Sequence, residues 1–426
     1  MNGFNHVDVF LYQIGISPLQ IWVNYLRKAT EAGKRCLVVL RSKEEIASLL
    51  NELQDLNVES ELSAQKDKHN HMRQALLNGS HYLITGKFFN MASHTAKMQT
   101  TYQDIGEDGV ELVLSDQVST IYNIGQEPYM VVGYSIHYIL DMVGSQVIPK
   151  DTEVCHGGMH YAHLLAKEGR LHIHSQQAYG VLNHPRFLYF QRVVVLSHEF
   201  RHTLMRMVFD LCRVPYVTHE VEGNATVDWR KLSITGIKTY YTYDPYQGKN
   251  FSQWELTVSE KRQRMKVYRK LMKTFLRNVA RTGKENFVWT SPRSYRTALR
   301  ATPAQDRFMA HPYNCFVPNV TALAYMRDTA TYMVGFSLLR SQGVSFDAMA
   351  LTLRDLKLFA ATTALSEGKR VYAYIPNAEI RQATQNFVAT EKTKARAAYD
   401  KQRKHEWYVK NIKPKREAAK QAVTSA

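Results

Sequence analysis

The sequence predicts an α/β protein: two successive parallel-sheet domains followed by a basic helical tail. Three observations predict it. Short apolar runs such as RCLVVL and VVVLS alternate with stretches of helical period through the first half. From about Glu222 the text turns tyrosine-rich and turn-rich, and strand-like runs then return. The last segment, from Glu391, is basic with few apolar anchors. The chain's 426 residues give room for two domains that each bury a core.

In order, His6 to Tyr12 reads as a short strand and Leu19 to Glu31 as an amphipathic helix. Arg35 to Leu40 reads as a buried parallel strand, with a helix following through Leu53. Tyr82 to Thr85 and Val110 to Ser115 read as further strands, and Val193 to Ser197 follows a turn at Asn183-His184-Pro185. In the second half the strand-like pieces are Phe287 to Thr290, Asn314 to Pro318 and Val371 to Ile375. The expected domains are therefore 1–224 and 225–388, with a basic helix at 260–282 in the second and a helical or disordered tail at 389–426. The opening residues lack a basic n-region and cleavage site, and no apolar run is long enough for a membrane span, so a cytoplasmic location is expected. Cys36, Cys155, Cys212 and Cys315 are scattered, as in a protein of reduced thiols.

Charge narrows the function. The balance is 55 Lys and Arg against 38 Asp and Glu, a net +17, which favours a polyanionic partner. The segment EKRQRMKVYRKLMKTFLRNVART holds nine Lys or Arg and one acid. Its Met265, Tyr268, Met272, Phe275, Leu276 and Val279 recur at helical spacing, leaving the other faces cationic. Lys261, Arg262, Arg264, Lys266, Arg269, Lys270, Lys273 and Arg277 are the expected phosphate contacts, with Arg293, Tyr295 and Arg296 second. Tyrosines 240, 241, 243 and 246 also lie near Lys238 and Lys249. Basic groups flanking rings suit single strands, whose unpaired bases stack on aromatic side chains. A competing pattern is His198-Glu199-x-x-His202, the spacing of a zinc peptidase. Arg201 between the histidines and the lack of a clear third ligand beyond His219 and Glu222 argue against it; the histidines 156, 160 and 163 read as members of an ordinary helix.

The succession of pieces resembles phage-encoded superfamily-two (DEAD/DEAH-like) helicases, built from two RecA-like domains, over residues 1 to 388. GKRCLVVLRSKEEIASLLNEL is similar to their strand and helix after the phosphate loop. HYLITGKFFNM resembles the strand that ends in a Thr-His, and ELVLSDQVSTIY sits where they carry an Asp-Glu box. FQRVVVLSHEFRHTLMRMVF matches the strand and helix that close the first domain. FVWTSPRSYRTAL, NCFVPNVTALAYMRDTATYMVGF and GKRVYAYIPNAEIRQ resemble successive parts of the second.

The resemblance implies a motor whose chemistry this sequence lacks. The expected phosphate loop reads QIGISPLQIW: Gly15 remains, but Leu19, Gln20 and Ile21 stand in the region of its Lys-Ser/Thr, and no GK[S/T] occurs in the chain. Asp116 survives as a possible metal ligand, followed by Gln117 where a glutamate would polarise water. Thr362 and Ser366 fall where relatives carry arginines. The expected protein is thus a non-enzymatic pseudo-helicase with no cofactor, a degenerate cleft at Gly15 and Asp116, and single-stranded DNA as partner. Its client would be a phage RNA polymerase or replisome component in the bacterial host cytoplasm. Length and charge are also compatible with the early single-stranded-DNA-binding proteins that activate the RNA polymerase of enquatrovirus-type phages. The alternatives are an active ATP- and Mg²⁺-dependent helicase with divergent motifs and, behind it, a zinc hydrolase.

Overall fold

In the computed structural model of the chain, residues 5–64, 67–91, 96–125, 140–149, 159–175, 177–221, 227–235, 258–291, 317–327 and 335–414 are described. They form two compact units. The first comprises Met1–Thr226, His311–Phe316 and Asp328–Thr362; the second comprises Val227–Ala310, Val317–Arg327 and Thr363–Ala426.

The first unit opens β1 (Val7–Leu11), α1 (Pro18–Glu31), β2 (Cys36–Leu40), α2 (Lys43–Glu52), β3 (Val58–Ser60), α3 (Lys68–Leu77) and β4 (His81–Thr85). Then come α4 (Gly86–Phe89), α5 (Ala96–Glu107), β5 (Glu111–Ser115), β6 (Ile121–Gly125), β7 (Leu140–Val143), β8 (Gln146–Pro149), α6 (Met159–Lys167), β9 (Leu171–His174) and β10 (Gln177–Val181). After a 3-10 turn at His184–Tyr189, β11 (Val193–Ser197), α7 (Leu204–Cys212) and β12 (Tyr216–Glu220) follow. Seven strands lie in the order β12-β1-β11-β5-β2-β4-β3, every pair parallel. Both faces are covered, which is why β2, β4, β5 and β11 read as unbroken apolar runs rather than alternating ones. One face packs with α1 and α2 through Trp22, Leu26, Ile46 and Leu49; the other packs with α3, α5 and α7 through Met72, Tyr102 and Phe209.

The first half is not parallel throughout. Residues 121–181 supply a second sheet, β6-β10-β9-β8-β7, whose pairings are antiparallel. Buried Arg170 ties it to the main core. Its guanidinium donates to the carbonyls of Val181 (3.1 Å) and Asn90 (2.7 Å) and to the Tyr122 hydroxyl (3.0 Å). Gly106, in α5, is needed for close approach: a Cβ there would stand 1.9 Å from the Tyr189 carbonyl oxygen. Backbone cannot swing aside like a side chain, so Gly106→Ala is expected to cost about 1–3 kcal/mol despite alanine's better helix propensity. Thermal melts of the two proteins check this.

The second unit holds β13 (Leu232–Thr235), α8 (Val258–Thr274, continued by a π-helical turn at Phe275–Ala280), β14 (Phe287–Thr290), β15 (Ala322–Tyr325) and β16 (Val371–Tyr374). Its four strands run parallel in the order β13-β16-β15-β14. Of the strand expected at Asn314 to Pro318, Asn314, Cys315 and Phe316 lie outside the described residues. Among the described residues Val317 and Pro318 enter a turn, and the strand begins at Ala322, beyond Pro318, which could not donate to a central ladder.

The chain is thus a pair of RecA-like α/β units with a basic C-terminal helix, but the units interleave instead of meeting at residue 225. Helices α9 (Phe336–Ser341) and α10 (Ala348–Ala361) belong to the first unit, because Phe336, Leu338 and Leu339 bury themselves in the cluster of Val7, Val195 and Phe209. The tail does not begin at 389 either. Helix α11 runs unbroken over Ala378–Asn411, started by Asn377, whose Oδ1 accepts from the Glu379 and Ile380 amides. Among the described residues no helix is long and apolar enough to cross a membrane. Cys36 and Cys212 are free thiols; Cys155 and Cys315 lie outside the described residues.

Candidate nucleotide cleft and nucleic-acid interface

In an open parallel sheet the carboxyl ends of the strands, near the point where the connections change direction, form the binding crevice. That point is β1, flanked by β11 and β12. Four loops open there, after β1, β2, β5 and β11, and they bring together Gly15, Arg41, Asp116 and Ser197-His198-Glu199.

The β1 loop is packed onto the core. Gly15 takes a positive φ of 123°, but Pro18 occupies the first turn of α1, removing one amide donor from the helix end. Ile16 and Leu19 pack against the core beneath α1 and Ile21 is buried in it, while Gln20 is spent on Asn24 (2.8 Å). The Ile16 carbonyl accepts from His198 Nε2 at 3.2 Å, which fixes the loop to the end of β11.

Asp116 is buried and its charge is met from within the protein. Its Oδ2 accepts from the Ser197 hydroxyl and forms an ion pair with the Arg354 guanidinium. Arg354 comes from α10, is itself buried, and also donates through Nε to the His198 carbonyl at 2.6 Å. One turn later Lys357 pairs with Glu199, a residue held at φ 52°, where a side chain is uncommon. Gln117 accepts from Arg41 at 3.4 Å, and the Arg41 amide donates to Glu45 Oε2 at 2.9 Å.

Burial sets the protonation states here. Desolvation pushes the His198 imidazole down to about 4, against the pull of Asp116. Burial pushes the Asp355 carboxyl up to about 7, opposed by Arg41, and raises Glu45 as well. The cleft therefore holds a neutral His198 imidazole beside the Asp116–Arg354 ion pair and the Gln117 side-chain amide. No group of three or more His, Cys, Asp or Glu converges as a metal site among the described residues.

His198-Glu199-x-x-His202 is not a helical pair: Ser197 ends a strand, Glu199 makes a left-handed turn and Phe200–His202 is a 3-10 turn. The two imidazoles therefore do not share one α-helical face, and Glu199 is engaged by Lys357. Where the resemblance puts the helicases' arginines, this chain has Thr362 and Ser366. Thr362 and Ser366 only cap their own turns, bonding the carbonyls of Phe359 and Thr363 (2.8 Å each), but Arg354 of α10 does reach the cleft. Sequence reasoning missed Arg354, Lys357 and Ser197. The signal was an arginine in LTLRDLKLFAA, the segment that also carries Leu356, Leu358 and Phe359 into the core.

The basic helix lies on the second unit. Of the stripe expected from the sequence, Tyr268, Met272, Phe275 and Leu276 bury against Trp289, Ala324 and Tyr374, joined by Leu271, while Val279 is half-buried and the Met265 side chain lies outside the described set. Lys266, Lys270, Lys273 and Arg277 are exposed, with Arg269 half-buried; the four exposed cations recur every three to four residues and so share one face. Lys261, Arg262 and Arg264 lie in the same helix, with side chains outside the described set, and Arg293, Tyr295 and Arg296 lie outside the described residues altogether.

No protein-family profile matches the chain, and no curated protein does. Among solved structures it resembles Mss116p (NTE and C-tail double deletion) bound to ssRNA and AMP-PNP, at 8% identity and a TM-score of 0.40. The match covers 87% of this chain and 66% of that one, so the chain spans somewhat less than two thirds of that protein's length. A likeness of this degree assigns no residue, and the RecA-like description rests on the strand order given above.

Proposed function

We propose that this protein is a non-enzymatic, helicase-like nucleic-acid-binding protein that prefers single strands. In this reading it assists or recruits a phage transcription or replication enzyme in the bacterial host cytoplasm, and it turns over no ATP. The observation that carries the reading is the exposed row Lys266, Lys270, Lys273 and Arg277 on a helix whose apolar stripe is buried. Four cations on a fixed scaffold can track a phosphate backbone without ordering new structure. The pairing of Asp116 with Arg354, and Leu19 and Gln20 in place of a phosphate-binding lysine and hydroxyl, support the non-hydrolytic part.

The test is binding of labelled single- and double-stranded oligonucleotides over a salt series, with and without ATP and Mg²⁺, alongside strand-stimulated phosphate release. Single strands are expected to bind more tightly, with an affinity that falls steeply with salt and is indifferent to ATP. Replacing Lys266, Lys270 and Lys273 together by Gln is expected to lower the salt slope by roughly two, at about 0.7 per contact. A salt slope unchanged by the triple substitution would remove the helix from the interface. Strand-stimulated phosphate release by the wild type, lost in an Asp116→Asn variant whose fold circular dichroism verifies, would establish the active helicase instead.

A further inference from the structure

Helix α11 has 34 residues, and Val388 is its last buried side chain. The remaining turns, roughly 35 Å at 1.5 Å per residue, rest on no core. They nevertheless carry large rings in solvent: Tyr399 is 63% exposed, Trp407 59% and Tyr408 37%. Residues 391–413 hold eight Lys or Arg against three acids. The rings and cations are arranged together. Arg396 and Arg403 lie three and four residues from Tyr399; Arg403, Lys404 and Lys410 lie three or four from Trp407; Lys404 lies four from Tyr408. At those spacings each ring has a cation beside it on the helix surface.

We infer that the distal half of α11, through Tyr399, Trp407 and Tyr408 and their flanking Lys and Arg, is a second binding surface for single-stranded nucleic acid. This rests on the strand-binding reading and adds a site on another helix of the same unit. The chemistry selects this occupant over two others. A second copy of the helix would need a continuous apolar seam every three to four residues, but after Val388 the positions that continue the Ile380–Thr384–Phe387 stripe are Glu391, Ala395, Ala398, Gln402 and His405. An acidic protein surface would answer the cations and leave the rings unused. Unpaired bases answer both, stacking on the rings while their phosphates meet the flanking charges.

The test compares three full-length proteins: wild type, Trp407→Ala/Tyr408→Ala, and the triple α8 substitution of Lys266, Lys270 and Lys273. All these side chains are exposed or half-exposed, and circular dichroism verifies that each variant keeps its fold. The probes are a long labelled oligothymidylate and poly-L-glutamate. The α11 variant is expected to bind the oligonucleotide at least about tenfold more weakly, since each stacked base contributes about 1–3 kcal/mol, and to bind poly-L-glutamate as wild type does. Unchanged oligonucleotide affinity, with the α8 variant weakened, would overturn this inference and leave the first reading standing. Equal losses for both polymers would also overturn it, because the rings would then have no part in selecting bases. A change from dimer to monomer in light scattering, with oligonucleotide affinity unchanged, would make the surface a self-interface and overturn it too. A wild-type protein that binds no oligonucleotide would overturn both readings.

Discussion

Replacing Arg354 by Met is expected to destabilise the first unit by about 3–5 kcal/mol, the largest loss from any single side chain discussed here. Asp116 would be left as a buried carboxylate with only the Ser197 hydroxyl for company, and the His198 carbonyl would lose its donor. The double variant Arg354→Met/Asp116→Leu should recover much of that loss, because removing both charges also removes the desolvation penalty of each. Urea unfolding of wild type, both single variants and the double variant forms the cycle. Additive losses would mean that the two side chains do not interact, and the description of the cleft as internally neutralised would fall. A large coupling would show that the crevice already contains its own counter-cation.

Acidification from pH 6.5 to 4 should destabilise the first unit through three histidines, of which His198 and His172 are buried and His184 is half-buried. Desolvation lowers His198, His172 and His184 each to about 4, from an ordinary 6.5; His184 adds to the shift at His172, and Arg170 to that at His184. In each case the folded state holds the neutral ring. The stabilisation is full above pH 6.5 and is lost as pH falls towards 4, because the unfolded chain binds protons that the folded one refuses. Each site contributes on the order of 3 kcal/mol across that window. Asp355 works the other way: its folded carboxyl keeps a proton up to about pH 7, so its share of stability falls as pH rises from about 4 to 7. The net expectation is proton uptake on unfolding near pH 5. His198→Gln should reduce that uptake by close to one proton, seen as a flatter dependence of unfolding free energy on pH. Superimposable pH profiles for variant and wild type would refute the assignment.

Much of the sheet was legible because burial on both faces leaves a direct mark. Cys36–Leu40, Val193–Ser197 and Phe287–Thr290 are unbroken apolar runs, and they are strands. The antiparallel layer escaped notice because its strands are four or five residues long, with mixed patterns such as LHIH and QAYGV. Two-residue alternation cannot be told from chance over so short a span. Its pairing of Ile121–Gly125 with Gln177–Val181 is also remote in sequence. The cleft divides the same way. Asp116 stood out through the resemblance of ELVLSDQVSTIY to an Asp-Glu box, whereas Arg354 acts through contacts spanning 156 and 238 positions, and the partners of such contacts cannot be read from neighbouring residues. Conversely, the pattern His198-Glu199-x-x-His202 was conspicuous in the text and is dissolved by a left-handed residue at Glu199.

The interleaving of the two units bears on how the chain can be made. The pocket that receives Phe336, Leu338 and Leu339 is lined by residues synthesised long before them. A ribosome that has released only the first 226 residues therefore presents an unfinished hydrophobic surface, and the ion pair of Asp116 with Arg354 must await most of the second unit. Such long-range closure slows maturation and prolongs the exposure of sticky intermediates. A fragment ending near residue 226 should accordingly precipitate or recruit chaperones, and so should one ending at Thr362, which completes the first unit but lacks β16, an inner strand of the second sheet; the full chain should remain in solution.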